Sequence, residues 1–254
     1  MDSVTQAALD WRADPDAVGN LAPTGRLRVA INYGNPVLAQ RHPQTGEPAG
    51  VSADLARDLA ARLELELDFL PFDSAGVVAK AAQDDLWDVA FLAIDPQRAQ
   101  TITYTRPYVL IEGTYLVPET SSLKTLDDVD RPGVSIAVGT GAAYDLYLSR
   151  TLQHAQIVRY ATSEEAVERF MQDGVSTAAG VRQPLERHAR EHSGFRVMDG
   201  RFTEIRQAMG CPKGRPAAAE LLSGYLTHAI ASGLVAQGLR NSGQHDASIA
   251  PLDN

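Results

Sequence analysis

The sequence predicts an α/β protein with two doubly wound halves joined by a crossing strand. Three observations carry this. Residues 26–93 alternate strand-like apolar runs with helical patterns in the order β-α-β-α-β, the order of a parallel, doubly wound sheet. A second alternating set begins at Gly133. Between them, residues 88–117 hold a short apolar run at 89–93, a break at Ile94-Asp95-Pro96, and a second apolar run at 108–117. The first run has the length of a buried parallel strand, and proline ends its ladder. Arg98 therefore stands just beyond a strand's carboxyl end, where open α/β sheets place ligands.

Taken in order, Val4, Ala7, Ala8 and Trp11 recur at helical spacing behind Ser3. That spacing predicts a short, capped amphipathic helix. Residues 15–25, rich in Pro, Gly, Asn and Asp, read as a linker. The first strand is 26–31, and Asn32-Tyr33-Gly34-Asn35-Pro36 forms the loop at its carboxyl end. Residues 43–50 form a turn-rich, hairpin-like excursion. A helix then runs from 52 or 53 to 65, with Leu55, Leu59, Ala60 and Leu63 on one face. Strand 65–69, helix 76–86 and strand 89–93 complete the first set. Residues 118–132 are polar and turn-like, anchored by Leu123, Leu126 and Val129.

The second set comprises strand 133–138, helix 139–152, strand 156–160, helix 163–172, strand 177–181, helix 185–192 and strand 195–198. The short apolar run 208–211 returns to the first half. Helices at 216–232 and 234–241 follow, and 242–254 reads as a loosely held tail. The domain division is 1–25 as N-terminal helix and linker, 26–116 plus 209–254 as the first lobe, and 117–208 as the second.

With 44% hydrophobic residues the chain can bury a core, and its net charge of −9 argues against a nucleic-acid partner. A local basic pocket for an anion remains compatible with that balance. Apolar runs fall far short of the ~20 residues needed to span a bilayer, so no direct membrane insertion is expected. The single cysteine, Cys211, excludes an internal disulfide. The first 25 residues lack a basic segment, an apolar stretch and a cleavage site. The chain therefore reads as cytoplasmic, with a periplasmic location as the alternative if a signal has been removed.

Motifs for catalysis are sparse. Gly-x-Ser-x-Gly, Ser-x-x-Lys and His-Glu-x-x-His are all absent, and Cys211 beside Pro212 reads as a packed small residue. Gly139-x-Gly141-x-x-Tyr144 follows a strand but lacks a third glycine, and no acidic residue ends the next strand at Tyr160. It reads as an anion-binding or structural turn, and no cofactor is expected. His188 and His192 have the spacing of metal ligands, yet they lie on a charged helix face without a third soft ligand. No metal site is expected there.

Several segments together resemble the family 3 extracellular solute-binding proteins, the amino-acid-binding group of the type II periplasmic-binding fold. They are Gly50-Val51-Ser52-Ala53-Asp54-Leu55-Ala56, Trp87-Asp88-Val89-Ala90, Asp95-Pro96-Gln97-Arg98-Ala99, Thr105-Arg106-Pro107-Tyr108, Gly139-Thr140-Gly141 and Ala208 to Gly214. The resemblance covers Leu27 to about Arg240. It implies two α/β lobes joined by two crossing strands, with a ligand trapped in the cleft.

Carried over residue by residue, the resemblance implies that Arg98 clamps a ligand carboxylate. Gly139, Thr140 and Gly141 would supply backbone N–H groups, and Tyr33 the aromatic wall. Asn35 and Ala93 complete the expected ligand-binding set with Asp95 and Arg182. Asp95, where the family has threonine, either caps the helix carrying Arg98 or contacts a ligand ammonium. Arg182 stands where the family places an aspartate for the ligand's ammonium. Its charge points towards a dicarboxylate or keto acid, and the bland alternative is a structural ion pair.

The implied function is a solute-binding protein that closes on a small anionic or zwitterionic, carboxylate-bearing metabolite (amino-acid-like, keto or dicarboxylic acid). It would act as an ABC-transporter-type substrate-binding component or a cytoplasmic relative of one. Its partner, if the chain is exported, would be an ABC permease. The N-terminal helix offers a homodimer contact. Some members of this fold are dehydratases, which keeps an enzyme reading open. Glu112 and Glu204 are the nearest candidates for a proton-shuttling carboxylate, and no catalytic residue is assigned. A stand-alone ligand sensor is a further alternative.

Overall fold

The computed structural model describes residues 11–252. The predicted N-terminal helix up to residue 10, with the homodimer contact assigned to it, lies outside them. The chain divides into two compact units. One comprises the chain up to Phe72, Val77–Leu110 and the chain from Arg206; the other comprises Asp73–Gly76 and Ile111–Ile205.

In the first unit, β1 (Arg26–Asn32) lies parallel between β4 (Glu66–Phe72) and β5 (Val89–Ala93), in register Val29↔Phe69 and Val29↔Val89. β11 (Thr203–Pro212) runs antiparallel to β5, with Gln207 opposite Ala93. Every residue of β5 is buried, as its unbroken apolar run requires of a central strand. A two-stranded hairpin, β2 (Gln40–Arg41) with β3 (Pro48–Ala49), precedes α2 (Val51–Arg62). Helix α2 buries Leu55, Leu59 and Ala60 on the face that the spacing indicates. α3 (Ala75–Ala81), α7 (Pro216–Ala231) and α8 (Leu234–Asn241) complete the helices near this unit.

The deepest polar group of the first unit is Asp88, fully buried at the start of β5. One carboxylate oxygen accepts from the Arg28 amide and Nε, each at 3.0 Å. The other accepts from Arg28 Nη2 at 2.7 Å and Arg215 Nη1 at 2.9 Å. The Asp88 amide donates back to the Arg28 carbonyl at 2.8 Å. One carboxylate thus ties β1, β5 and the start of α7 together.

Two expectations for this unit are corrected. Residues 15–21 are not linker but helix α1 (Pro15–Leu21), with Asp14 as N-cap accepting from the Asp16 amide and Pro15 in the first turn. Pro at that position costs no hydrogen bond and presets φ. Ala17 and Leu21 are buried, and Asn20 Oδ1 accepts from the Ala218 amide of α7 at 3.0 Å. Trp11, just before it, sits edge-on to Tyr225 at 5.5 Å, against Gly224 of the same helix. The tail is held too: β12 (Ser248–Ile249) pairs with Val109 and Leu110, and Arg106 Nη2 donates to the Pro251 and Leu252 carbonyls at 2.8 and 2.6 Å.

In the second unit, the distal part of β6 (Ile102–Pro118) pairs antiparallel with β9 (Thr177–Val181). β9 pairs parallel with β7 (Ser135–Gly139), and β7 with β8 (Gln156–Tyr160). β10 (Phe195–Val197) adds to the end of β6. Helices α4 (Ala143–Thr151), α5 (Ser163–Arg169) and α6 (Arg182–Glu191) connect these strands. Leu116, Ala137, Phe170, Ala178 and Leu185 form the core. β6 is longer than the predicted 108–117. α6 begins three residues before the predicted 185, because Pro184 fits a helix's first turn.

Asp130 illustrates how carboxylates finish this unit's loops. It accepts the amides of Ala155, His154 and Gln153 at 2.8–2.9 Å, and these bonds, Ala155 first, hold its carboxyl below the ordinary range. A lowered folded-state value contributes stability that is present above the unfolded value, about 3.9, and is lost as pH falls through the folded one. Asp130→Asn should therefore have a lower Tm than wild type at pH 7, with the gap closing as pH falls below the ordinary carboxyl value of about 3.9. A Tm gap that stays constant with pH would sink this account.

Candidate functional site

Because β1 and β5 are parallel neighbours, their carboxyl ends emerge at the same edge of the first unit's sheet, the edge where α/β sheets bind ligands. β1 delivers Tyr33, whose amide donates to the Phe72 carbonyl at 2.9 Å, and Asn32 Oδ1 accepts from the Gly34 amide at 3.0 Å. The loop is thus fixed by its own backbone. Tyr33 is half-buried, and the guanidinium of Arg41 lies over its ring at 4.0 Å. Burial pushes the Tyr33 phenol up, with Arg41 opposing. Asn35 is buried and its Oδ1 accepts from the Val37 amide at 3.3 Å. This bond holds a turn.

β5 ends at Ala93. Asp95 Oδ1 accepts from the amides of Gln97 at 2.8 Å and Arg98 at 3.4 Å, so Asp95 holds the bend that leads into the short 3-10 turn Arg98–Gln100. Arg98 is only 4% exposed, and its Nη1 donates to the Ala93 carbonyl at 3.2 Å. It is therefore no surface arginine: its guanidinium folds back over the end of β5. Burial lowers its pKa, with Tyr104 and Asp95 opposing, and a guanidinium keeps its charge regardless. Tyr104, pushed up to about 12 by burial, is a neighbour that the sequence reading missed.

In the second unit the Gly139-Thr140-Gly141 turn is closed on its own chain. The Thr140 amide and hydroxyl both donate to the Tyr160 carbonyl, at 2.9 and 2.7 Å. The Gly141 amide donates to Asp145 Oδ2 at 2.8 Å. The anion at this helix start is the chain's own Asp145, four residues on, which corrects the expectation of N–H groups offered to a ligand. Gly139 is required by packing: a Cβ there would lie 2.6 Å from the Ser163 amide and 2.8 Å from its Cα. Gly139→Ala should cost about 1–3 kcal/mol by overpacking, read as a lower urea midpoint. A midpoint equal to wild type would contradict it.

The expected opposing cation is also arranged differently. Arg182 opens α6, and its Nε donates to Glu112 at 2.7 Å. Its Nη1 lies 3.5 Å from Glu186 and from the Met198 carbonyl, and its Nη2 donates to the Gly200 carbonyl. Glu112 also meets Arg201 at 3.2 Å, and Arg201 meets Glu204 at 3.2 Å. Two guanidinium groups thus face three carboxylates, Glu112, Glu186 and Glu204. Arg182 is the ion-paired residue of the bland reading, and both candidate catalytic carboxylates are engaged with arginine.

The remaining candidates are structural. The His188 and His192 rings stack at 4.2 Å, and no group of three or more His, Cys, Asp or Glu that could hold a metal occurs among the described residues. Cys211 is buried and its thiol is pushed up to about 11, the opposite of an activated nucleophile. No described helix is long and apolar enough to cross a membrane.

The chain thus forms two α/β units crossed by β6 and β11, with a buried arginine at the carboxyl edge of a parallel sheet. The pattern of the bacterial extracellular solute-binding proteins, family 3, matches residues 27–241, and the chain belongs to that family. It is 26% identical over 156 residues to a cyclohexadienyl dehydratase of Pseudomonas aeruginosa, covering 60% of this chain and 58% of that one. It is 24% identical over 115 residues to the amino-acid-binding protein AabA of Dichelobacter nodosus, covering 44% and 46%. These matches span about half the length of each relative.

Among solved structures, a mutant of ArgBP from T. maritima superposes with a TM-score of 0.77 at 18% identity, covering 90% of this chain and 100% of that one. An amino acid ABC transporter substrate-binding protein from Streptococcus pneumoniae, bound to L-arginine, gives 0.75 at 17%, covering 92% and 99%. The ancestral amino-acid-binding protein AncCDT-1, a precursor of cyclohexadienyl dehydratase, gives 0.73 at 20%, covering 88% and 98%. The fold is the type II periplasmic-binding fold that the sequence resemblance implied.

Proposed function

We propose that this chain binds a small carboxylate-bearing metabolite of the amino-acid type and serves as the substrate-binding component of an ABC-type transporter. The observation that carries the reading is Arg98: a buried guanidinium held over the carboxyl end of β5 by the Ala93 carbonyl, on a turn entered through the bend that Asp95 holds. A desolvated, oriented guanidinium is the group best suited to a carboxylate. The engagement of Arg182 by Glu112 removes the electrostatic objection to a ligand ammonium, so α-amino acids join keto and dicarboxylic acids as candidates.

The dehydratase relative supports a second reading, in which the bound acid is also turned over. A proton shuttle needs a carboxylate free to reach the substrate. The pairing of Glu112 and Glu204 with arginine favours binding over turnover.

The test is a thermal-shift screen of amino, keto and dicarboxylic acids on wild type and Arg98→Ala. At least one acid should raise the Tm of the wild type and leave the variant unmoved. A wild type indifferent to every acid, or a variant that responds equally, would overturn the proposal.

A further inference from the structure

Arg41 stands at the same sheet edge as Arg98 and has no part in the reading so far. Its position is fixed from both sides. The hairpin holds its backbone opposite Pro48, and its guanidinium lies 4.0 Å above the ring of Tyr33. Tyr33 in turn is anchored to β4 through the Phe72 carbonyl. A cation over an aromatic face is a defined attraction that orients both groups.

Among the described residues Arg41 has no ion-pair partner, and the hairpin's Glu47 opposes it at Tyr33 only from a distance. No carboxylate among them lies within the 4.0 Å of an ion pair, whereas the neighbouring Arg57 has Asp54 at 3.7 Å. Arg57 is further occupied by the Pro48 carbonyl at 2.6 Å and by the Phe69 ring. Tyr33 thus carries a guanidinium on one face of its ring.

We propose that Arg41 is a specificity-determining residue: stacked on Tyr33 beside the Arg98 turn, it selects ligands whose distal group is anionic or neutral and turns away cationic side chains. This rests on the reading that Arg98 holds the ligand's carboxylate. With that carboxylate placed past the end of β5, the rest of the ligand extends along the edge that β1 and Tyr33 share. A distal ammonium or guanidinium then meets a like charge, and a distal carboxylate an opposite one. In a partly screened environment one such charge changes relative affinity by about tenfold or more.

The experiment is calorimetric titration of the full chain with L-glutamate, L-glutamine and L-arginine, using wild type, Arg41→Gln, Arg41→Lys and Arg98→Ala. Wild type should bind glutamate in preference to arginine. Arg41→Gln should narrow that ratio about tenfold, and Arg41→Lys should keep most of it. Arg98→Ala should lose all three ligands, and circular dichroism of each variant should match wild type. If wild type prefers arginine, or Arg41→Gln leaves the ratio unmoved while Arg98→Ala abolishes binding, the role of Arg41 falls and that of Arg98 stands. If Arg98→Ala binds as wild type does, both readings fall; if wild type binds none of the three, the role of Arg41 falls and that of Arg98 is decided by the screen of keto and dicarboxylic acids.

Discussion

Asp88→Ala is expected to destabilise the protein by about 3–5 kcal/mol, the cost of leaving buried charges without their partner. Asp88 is fully buried, and its two oxygens accept four hydrogen bonds from Arg28 and Arg215. Arg28 shares its charge with Asp85 only at 3.9 Å. Removing the carboxylate therefore strands a guanidinium against β1 and unties α7 from β5. A urea titration followed by tryptophan fluorescence would read the loss, Trp87 being buried beside the site. Asp88→Asn keeps the shape but not the charge and should fall between wild type and alanine. An alanine variant within about 1 kcal/mol of wild type would refute the account, since that is the range of exposed ion pairs.

Arg98→Ala should reduce affinity for the bound acid by a factor corresponding to about 2–5 kcal/mol, the usual cost of truncating one partner of a buried, hydrogen-bonded charge pair. Arg98→Lys should recover only part of it. A lysine ammonium keeps the charge but cannot reproduce the planar fork that meets a carboxylate with two parallel bonds. Calorimetry with the best ligand of the thermal-shift screen measures both. Equal affinity for lysine and arginine variants would mean that charge alone acts there. Because Asp95 holds the bend through backbone amides, either substitution leaves those hydrogen bonds in place.

How much of this was legible in the sequence depended on whether the signal was local. β5, β8, β9 and α8 have the bounds that the apolar runs and their flanking residues indicate. α1 was legible in principle through Asp14-Pro15, but Gly19 and Asn20 masked it as a linker. β12 spans two residues, too few to carry any period. At the site, the strand, the proline break and Arg98 could be read directly. Arg41 over Tyr33 and Tyr104 near Arg98 could not, because side-chain direction decides those contacts and spacing does not encode it. The Gly139-Thr140-Gly141 turn misled for a physical reason: glycine serves close backbone packing as well as anion binding, and here Ser163 and Asp145 take both roles.

The bond between Arg215 and Asp88 also bears on how the chain is made. Its partners are 127 residues apart, and the whole continuous segment Ile111–Ile205 lies between them. At ribosomal rates of about 5–20 residues per second, Arg215 emerges roughly 6–25 s after Asp88. Within that interval the inserted segment is made in full, while until its end the unit it interrupts lacks β11 and α7. Asp88 has Arg28 from the outset, but it waits for its bond to Arg215, and one side of β5 waits for β11. Between the completion of β5 and the arrival of β11, the first unit of the nascent chain therefore carries an unpaired strand edge.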